Sequence, residues 1–132
     1  LAAKKESIQI QQFVDQQKWP TIKTGSGLHY YVYQHGSGDS AKTGMKATVK
    51  MVITLLNGDT CYNWKKGGEE SFTIDYDHNE SGLHDAIKKM CVGDKAKVIL
   101  PSHLAFGVAG DFDKIPTRSS VVYDIELVRV NK

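Results

Sequence analysis

The sequence lacks most features that identify membrane-inserted, nucleic-acid-binding or metal-binding proteins. No apolar run reaches the roughly 18 residues that a membrane-spanning helix needs. The 17 Lys and Arg residues balance the 15 Asp and Glu residues and form no basic block, so no nucleic-acid partner is expected. With 132 residues, the chain is long enough to bury a core and is most simply read as one domain.

Cysteine is scarce, and the two that are present decide little. Cys61 and Cys91 form no CxxC pair, so a zinc or thiol redox site is not expected. Buried thiols and a disulfide formed in an oxidising compartment both remain open. Ser102 and His103 suggest half of a nucleophilic site, but adjacent side chains on an extended chain point to opposite sides and cannot activate each other.

Metal-ligating residue types occur in two groups, and neither has the spacing of a known site. The first group comprises His78, Glu80, His84 and Asp85. Polar residues of this kind at the start of a helix are usually solvated, and the acidic ones suit the helix dipole. The second group, Asp111 and Asp113, lacks the other oxygen ligands and the closing Glu of a calcium loop. We therefore expect no metal, no cofactor and no acid-base catalytic residue.

Two segments have the spacing of helices. Ile10, Phe13 and Val14 lie on one face of the first 19 residues, which predicts an amphipathic helix ended by Trp19-Pro20. The segment SGLHDAIKKM, residues 81–90, predicts a short second helix with Ser81 as its N-cap.

Alternating apolar and polar residues predict strands at 28–35, 45–64, 95–100 and 120–130. Asn57-Gly58 divides the second of these runs into a hairpin, and Phe72 to Ile74 can add a short strand. We therefore predict an α+β fold, with five or six mostly antiparallel strands around one short helix and an additional N-terminal helix.

An apolar loop, SHLAFGVAGDFDKIP, lies between the last two predicted strands. Surface loops are normally polar, so this one is predicted to cover a slot. A dry aromatic slot suits one reaction that needs no acid, base or metal, namely rotation about an Xaa-Pro amide, whose barrier is roughly 18–20 kcal/mol. Such a slot can hold the proline ring and desolvate the carbonyl, and so favour the twisted form.

From Leu28 to Val130 the sequence resembles the FKBP-type peptidyl-prolyl isomerases. SGLHDAI resembles the family's central helix, MCVGDKAKVILP the following turn and strand, LAFG with KIP the lid loop, and VVYDIELVRV the last strand. The resemblance implies an FKBP-like domain at 28–132, preceded by a helical extension and linker at 1–27.

The sequences of the SGLHDAI segment and of the lid loop are similar to those of FKBP-like lipoproteins of the bacterial envelope, including those associated with gliding motility. That resemblance implies a periplasmic or cell-envelope location. It also implies a lipid anchor upstream of Leu1 in a longer parent, and this anchor would be the chain's one link to a membrane.

The resemblance places nine residues around the proline slot. They are Met51, Cys61, Tyr62, Phe72, Glu80, Leu83, Phe106, Ile115 and Tyr123. Phe72, Ile115 and Tyr123 keep the family's aromatic or branched apolar character. Glu80 replaces an apolar residue whose backbone N–H contacts the ligand, and this donor is kept because every residue except proline carries it.

Five further positions depart from the family pattern. Phe106 replaces a tyrosine whose hydroxyl bonds the substrate carbonyl, and Leu83 replaces the tryptophan at the base of the slot. Met51, Cys61 and Tyr62 replace a tyrosine, a phenylalanine and an aspartate. A lost hydrogen bond is worth about 1–3 kcal/mol, or about tenfold to a hundredfold in rate, so weak or altered activity and low affinity for macrolides are expected.

Two functions follow from this resemblance. The first is a prolyl isomerase that acts on proline-containing segments of exported proteins. The alternative is a catalytically inactive chaperone or binding module with the same fold, for which the departures at Leu83, Met51 and Tyr62 argue. The leading helix is a candidate for forming a homodimer.

Overall fold

The computed structural model describes residues 2–63, 68–77, 80–107, 110, 115–116 and 118–131, without the side chains of residues 2, 3 and 63. Its helices and strands, in chain order, are α1 (Ala2–Gln17), β1 (Ile22–Lys23), β2 (His29–Gln34), β3 (Lys46–Leu55), β4 (Thr60–Asn63), β5 (Glu70–Thr73), α2 (Ser81–Ile87), β6 (Lys95–Leu100) and β7 (Val121–Asn131). A 3-10 helix, Ser102–Leu104, follows β6.

Within the described residues, seven strands form one sheet, and every pairing is antiparallel. Six of them follow the order β1-β2-β6-β7-β3-β4, and β5 pairs with β3 beside this row. The first half of β3 also pairs with β5 and the second half with β4, so the sheet divides along this edge. The predicted α+β fold is confirmed. The predicted count of five or six strands was too low, because Ile22–Lys23 is too short to show a period and fell in a predicted linker.

The hairpin predicted at Asn57-Gly58 is present between β3 and β4. Gly58 has a φ of 97°, which is strained for any residue with a side chain. Its N–H donates to the Leu55 carbonyl at 3.0 Å, and the Leu55 N–H donates to the Asp59 carbonyl at 2.9 Å. This turn brings β4 back beside β3.

Helix α2 is short and almost wholly buried on its sheet-facing side, where Leu83 and Ile87 have no exposed surface. Its N-cap is Glu80 and no side chain bonds the cap, so the prediction of Ser81 as N-cap was wrong. Gly82 allows α2 to lie against the 3-10 helix: a Cβ at this position would lie 2.7 Å from the Leu104 carbonyl oxygen.

The sheet packs a different helix on each face. The main core lies between the sheet and α2, and it includes Leu28, Ala47, Val49, Met51, Ile53, Phe72, Leu83, Ile87, Val98, Leu100, Tyr123, Ile125 and Leu127. On the other face, Ile10 and Val14 of α1 pack against Ile99 and Val122. Helix α1 ends at Gln17, two residues before the predicted Trp19. The contacts of Ile10 and Val14 cover the apolar face of α1 with the chain's own sheet.

The domain boundary near residue 27 stays a prediction. Cys61 and Cys91 are not joined in a disulfide in this structure, where Cys61 is buried and Cys91 is partly exposed. In the part of the chain that the structure describes, no helix has both the length and the apolar character to cross a membrane.

Candidate functional site

Six of the nine predicted slot residues form a sealed base in the main core. Their exposed fractions are at most 6%: Met51 2%, Cys61 6%, Phe72 2%, Leu83 0%, Ile115 2% and Tyr123 0%. Tyr62 and Phe106 pack on this core while remaining partly exposed, and Glu80 is also half-buried. The structure thus brings eight of the nine residues into or against one core, and Tyr62, Glu80 and Phe106 keep part of their surface exposed.

Strand pairing explains why these residues meet. Ile53 on β3 lies directly opposite Tyr62 on β4 and opposite Tyr123 on β7. Directly paired residues of antiparallel strands point to the same face, so the three side chains form one row across the sheet. Phe72 on β5 is opposite Ala47, whose small side chain leaves room for the phenyl ring.

His84 holds Phe72 and the turn after β5 in place. Its ring meets the Phe72 ring edge to face, with centroids 5.3 Å apart. Nδ1 accepts the Asp75 N–H at 2.9 Å, which leaves Nε2 as the donor to the Asp77 carbonyl at 3.0 Å. This buried histidine therefore ties α2 to the end of β5.

No group of three His, Cys, Asp or Glu side chains that could hold a metal occurs among the described residues. Of the residues weighed as metal ligands, His78, Asp111 and Asp113 lie outside the described residues. His84 is engaged by the two backbone groups just named, and Asp85 lies 3.9 Å from the Lys88 ammonium.

Phe106 is carried by a tight turn that Ser102 organises. The Ser102 carbonyl accepts the N–H groups of Ala105 at 3.0 Å and Gly107 at 2.8 Å, and these residues flank Phe106. The Gly107 carbonyl accepts the Arg118 N–H at 3.2 Å. The end of the loop is thus tied to the turn that carries the ring.

The extended conformation predicted for Ser102 and His103 was wrong, because both lie in the 3-10 helix. Ser102 is buried, whereas His103 is exposed and its Nε2 lies 3.2 Å from the Ser26 carbonyl. Each residue has its own partners, so the two form no nucleophilic pair.

Ile115 is held close to the backbone of Gly110. Gly110 has a φ of 73°, and a Cβ there would lie 2.2 Å from the Ile115 carbonyl oxygen. Only glycine fits this approach. It allows the loop to turn inward so that Ile115 is buried against the core.

Two buried polar atoms lie near each other in this apolar region. The Glu80 carboxyl and the Tyr123 hydroxyl lie close enough to interact, but neither Oε2 of Glu80 nor the hydroxyl makes a hydrogen bond of ordinary geometry within the described part of the chain. Burial raises the pKa of the Glu80 carboxyl. Burial, and then the nearby Glu80 charge, raise the pKa of the Tyr123 hydroxyl. The site therefore favours the neutral forms of both groups, each of which can donate a hydrogen bond.

Sequence reasoning missed Glu6, whose carboxylate is buried against the loop that carries Phe106. One signal was available. Glu6, Ile10 and Val14 are spaced four residues apart, so the acidic residue continues the apolar stripe of the first helix instead of its polar side.

Comparison with known proteins agrees with this architecture. Residues 38–128 match the family described as FKBP-type peptidyl-prolyl cis-trans isomerase. The chain is 36% identical over 91 residues to FK506-binding protein 2 of Dictyostelium discoideum, and this match covers 68% of each protein. It is 34% identical over 111 residues to the FKBP-type peptidyl-prolyl cis-trans isomerase FkpA of Escherichia coli K12, and this match covers 83% of the chain and 40% of FkpA.

Solved structures show the same fold. The crystal structure of Escherichia coli FkpA superposes with a TM-score of 0.84 at 30% identity, over 98% of this chain and 61% of that one. A peptidyl-prolyl cis-trans isomerase of Pseudomonas syringae superposes with a TM-score of 0.81 at 25% identity, over 99% and 94% of the two chains. The sequence matches cover less than half of the full-length FkpA proteins, 44% of that of Buchnera aphidicola and 40% of that of Escherichia coli.

Proposed function

Because the chain belongs to the family of FKBP-type peptidyl-prolyl cis-trans isomerases, we propose that it isomerises Xaa-Pro bonds of exported polypeptides. The observation that carries this proposal is that the partly exposed Tyr62 and Phe106 both pack against the buried core that contains Phe72, Leu83, Ile115 and Tyr123. A proline ring is a compact apolar group, and Tyr62 and Phe106 are partly exposed aromatic residues against which it could pack.

The proposed chemistry uses binding and desolvation. The amide resists rotation because resonance flattens it, and an apolar slot destabilises the charge-separated planar form more than the twisted form. The Tyr62 and Phe106 rings would hold the proline while the Glu80 N–H contacts the bound peptide. Only contacts that strengthen in the twisted state raise the rate.

The activity is proposed to be weak or altered. Phe106 presents no hydroxyl to the substrate carbonyl, and Leu83 gives the slot a smaller base than an indole would. The Tyr123 hydroxyl and Oε2 of Glu80, which make no hydrogen bond within the described residues, are buried groups that could donate instead. Macrolides that need a broad aromatic base should bind this slot poorly.

We also propose a periplasmic or cell-envelope location, with a lipid anchor upstream of Leu1, as in the gliding-motility type of FKBP-like lipoprotein. Its support is the similarity of SGLHDAI and the lid segment to that type. The test is fractionation of cells that produce the full parent chain, together with labelling by a radioactive fatty acid. Recovery of an unlabelled protein in the cytoplasmic fraction would contradict the proposal.

A homodimer formed through α1 would have to use the face of the helix that is turned away from the sheet. Ile10 and Val14 are covered by the chain's own strands, whereas Ile8 is 51% exposed. The measurement is light scattering of the wild type and Ile8→Asp. A dimer mass that is unchanged by this substitution, or a monomer mass for both proteins, would argue against the proposed contact.

The experiment on activity is NMR exchange spectroscopy with short peptides that vary the residue before proline. We expect faster cis-trans exchange for at least part of the set when the folded protein is present. Peptide binding without any acceleration would instead support the catalytically inactive chaperone or binding module. If the protein neither binds these peptides nor accelerates their exchange, both functions are excluded for them.

A further inference from the structure

Glu6 is a buried carboxylate for which the proposed chemistry has no use. It belongs to α1, which packs on the face of the sheet opposite the slot, and it is 8% exposed. A buried carboxylate is costly unless several donors satisfy it. The donors that meet Glu6 come from the two ends of the loop that carries Phe106 and Ile115.

Three hydrogen bonds reach this carboxylate. The Ser102 N–H donates to Oε1 and the Ser102 hydroxyl donates to Oε2, both at 2.8 Å. The Ser120 hydroxyl donates to Oε1 at 3.1 Å. One side chain from the start of the protein thus binds the first and the last part of a loop about a hundred residues away.

The same contacts continue to the rim of the slot. Ser102, held by Glu6 through its N–H and hydroxyl, uses its carbonyl to bind the N–H groups on both sides of Phe106. The Gly107 carbonyl then binds Arg118, two residues before Ser120. Together with the backbone from Arg118 to Ser120, these hydrogen bonds form a closed ring in which Glu6 joins the two ends of the loop.

We propose that Glu6 is a positioning residue for the isomerase, which fixes the turn that carries Phe106 by holding Ser102 and Ser120. Helix α1 is then part of the working slot and more than a spacer. The catalytic consequence of this inference rests on the proposed function. The geometric consequence, that Glu6 orders the Phe106 turn, does not.

The variants are Glu6→Ala and Glu6→Gln, with Asp15→Asn as the matched control. Asp15 lies on the same helix, is exposed, and accepts a hydrogen bond from Gln11 at 3.0 Å. A misplaced contact group can cost about a hundredfold in rate, so we expect Glu6→Ala to lower the acceleration of cis-trans exchange at least about tenfold. The acceleration by Glu6→Gln should lie between those of the wild type and Glu6→Ala, because its amide oxygen can still accept the Ser102 N–H. The acceleration by Asp15→Asn should equal that of the wild type.

The loss should appear in both kcat and KM, because the Phe106 ring is proposed to hold the proline and is displaced in the variant. A merely structural role, in which α1 only adds stability, would leave the rate per folded molecule unchanged. Wild-type kcat and KM in all folded Glu6 variants would overturn the catalytic part of the inference.

Amide hydrogen exchange tests the geometric part without any need for activity. In Glu6→Ala the Ala105 and Gly107 amides should exchange at least about tenfold faster than in the wild type, while the Ile125 amide in the central strand keeps its rate. Ser120→Ala, which removes one of the three bonds, serves as a second variant if Glu6→Ala does not fold. Unchanged exchange at Ala105 and Gly107 would overturn the inference, whereas a changed rate in a protein without isomerase activity would contradict only the proposed function.

Discussion

The two faces of the sheet differ in how they hold their helices. Towards α2, β7 presents Tyr123, Ile125 and Leu127, none of which has exposed surface. Towards α1, the same strand presents Val122 and then Asp124, which accepts the Tyr33 hydroxyl at 2.7 Å and pairs with Lys97 at 3.1 Å. The first face is a continuous core that carries the proposed slot, and the second is a small apolar patch bordered by a hydrogen bond and an ion pair.

This difference suggests a division of tasks. The α2 face fixes the base of the slot through many apolar contacts, which no single change removes. The α1 face relies on a few apolar contacts and on the three hydrogen bonds of Glu6. Helix α1 should therefore be easier to displace than α2, and its displacement should be felt at Phe106.

The strongest test of the comparison uses two isoleucines with no exposed surface, Ile125 on the α2 face and Ile99 on the α1 face. Replacing a buried Ile by Ala costs about 2–5 kcal/mol, and the cost falls when the surroundings can close the cavity. We expect Ile125→Ala to lie at the upper end, and Ile99→Ala at the lower end because α1 can shift. Urea unfolding measures both, and a larger loss for Ile99→Ala would refute the comparison.

The next effect concerns the rim of the slot. Phe106→Tyr restores a hydroxyl next to the proposed position of the substrate carbonyl, and a hydrogen bond that strengthens in the twisted state is worth about 1–3 kcal/mol. We expect the rate of peptide isomerisation to rise at least about tenfold. The control is Phe13→Tyr on the α1 face, which should leave the rate unchanged. Equal rates for the wild type and Phe106→Tyr would show that the missing donor does not limit catalysis.

A smaller effect is expected at Tyr123. Its hydroxyl is buried next to the Glu80 carboxyl and makes no hydrogen bond of ordinary geometry in the described part of the chain, and a buried hydroxyl without a full hydrogen bond costs about 1–3 kcal/mol. Tyr123→Phe should therefore raise the free energy of unfolding, and it should lower isomerisation if the hydroxyl serves the substrate. Denaturant unfolding and peptide exchange measure the two effects. A loss of stability would mean that the hydroxyl is satisfied in the folded protein.

The smallest effect is a pH dependence. Burial raises the pKa of the Glu80 carboxyl above its ordinary value of 4.5, so the folded protein holds this proton more tightly than the unfolded chain does. The resulting stability is complete below pH 4.5 and is lost as the pH rises through the raised pKa. Glu80→Gln does not titrate, so its free energy of unfolding should decline less over this range. Parallel profiles for the two proteins would contradict the expected shift.

The sequence predicted the α2 face better than the α1 face. Alternation along residues 120–130 identified Tyr123 and Ile125 as inward-facing, and the family resemblance brought together residues that are distant along the chain. Val122 breaks the polar side of this alternation and Ile99 breaks that of residues 95–100, and the two residues lie directly opposite each other on β6 and β7. This paired exception marks the place where α1 docks, but it becomes visible only when the strand register is known.

The bonds of Glu6 and His84 could not be predicted for a similar reason. Both residues bind backbone groups whose positions depend on the 3-10 helix and on the turn after β5, and local sequence patterns do not specify these. The two-residue strand β1 was missed because a period needs more positions than it contains.

The most direct test of the account asks which face of the sheet binds proline peptides. A groove of about 380 Å³ lies on the α1 face, lined among others by Phe13, Trp19 and Leu56, and it is the competing location. An NMR titration with an Xaa-Pro peptide should shift the amide signals of Tyr62, Glu80 and Gly107, and leave those of Trp19 and Leu56 in place. Shifts confined to Trp19 and Leu56 would contradict the assignment of the slot to the α2 face.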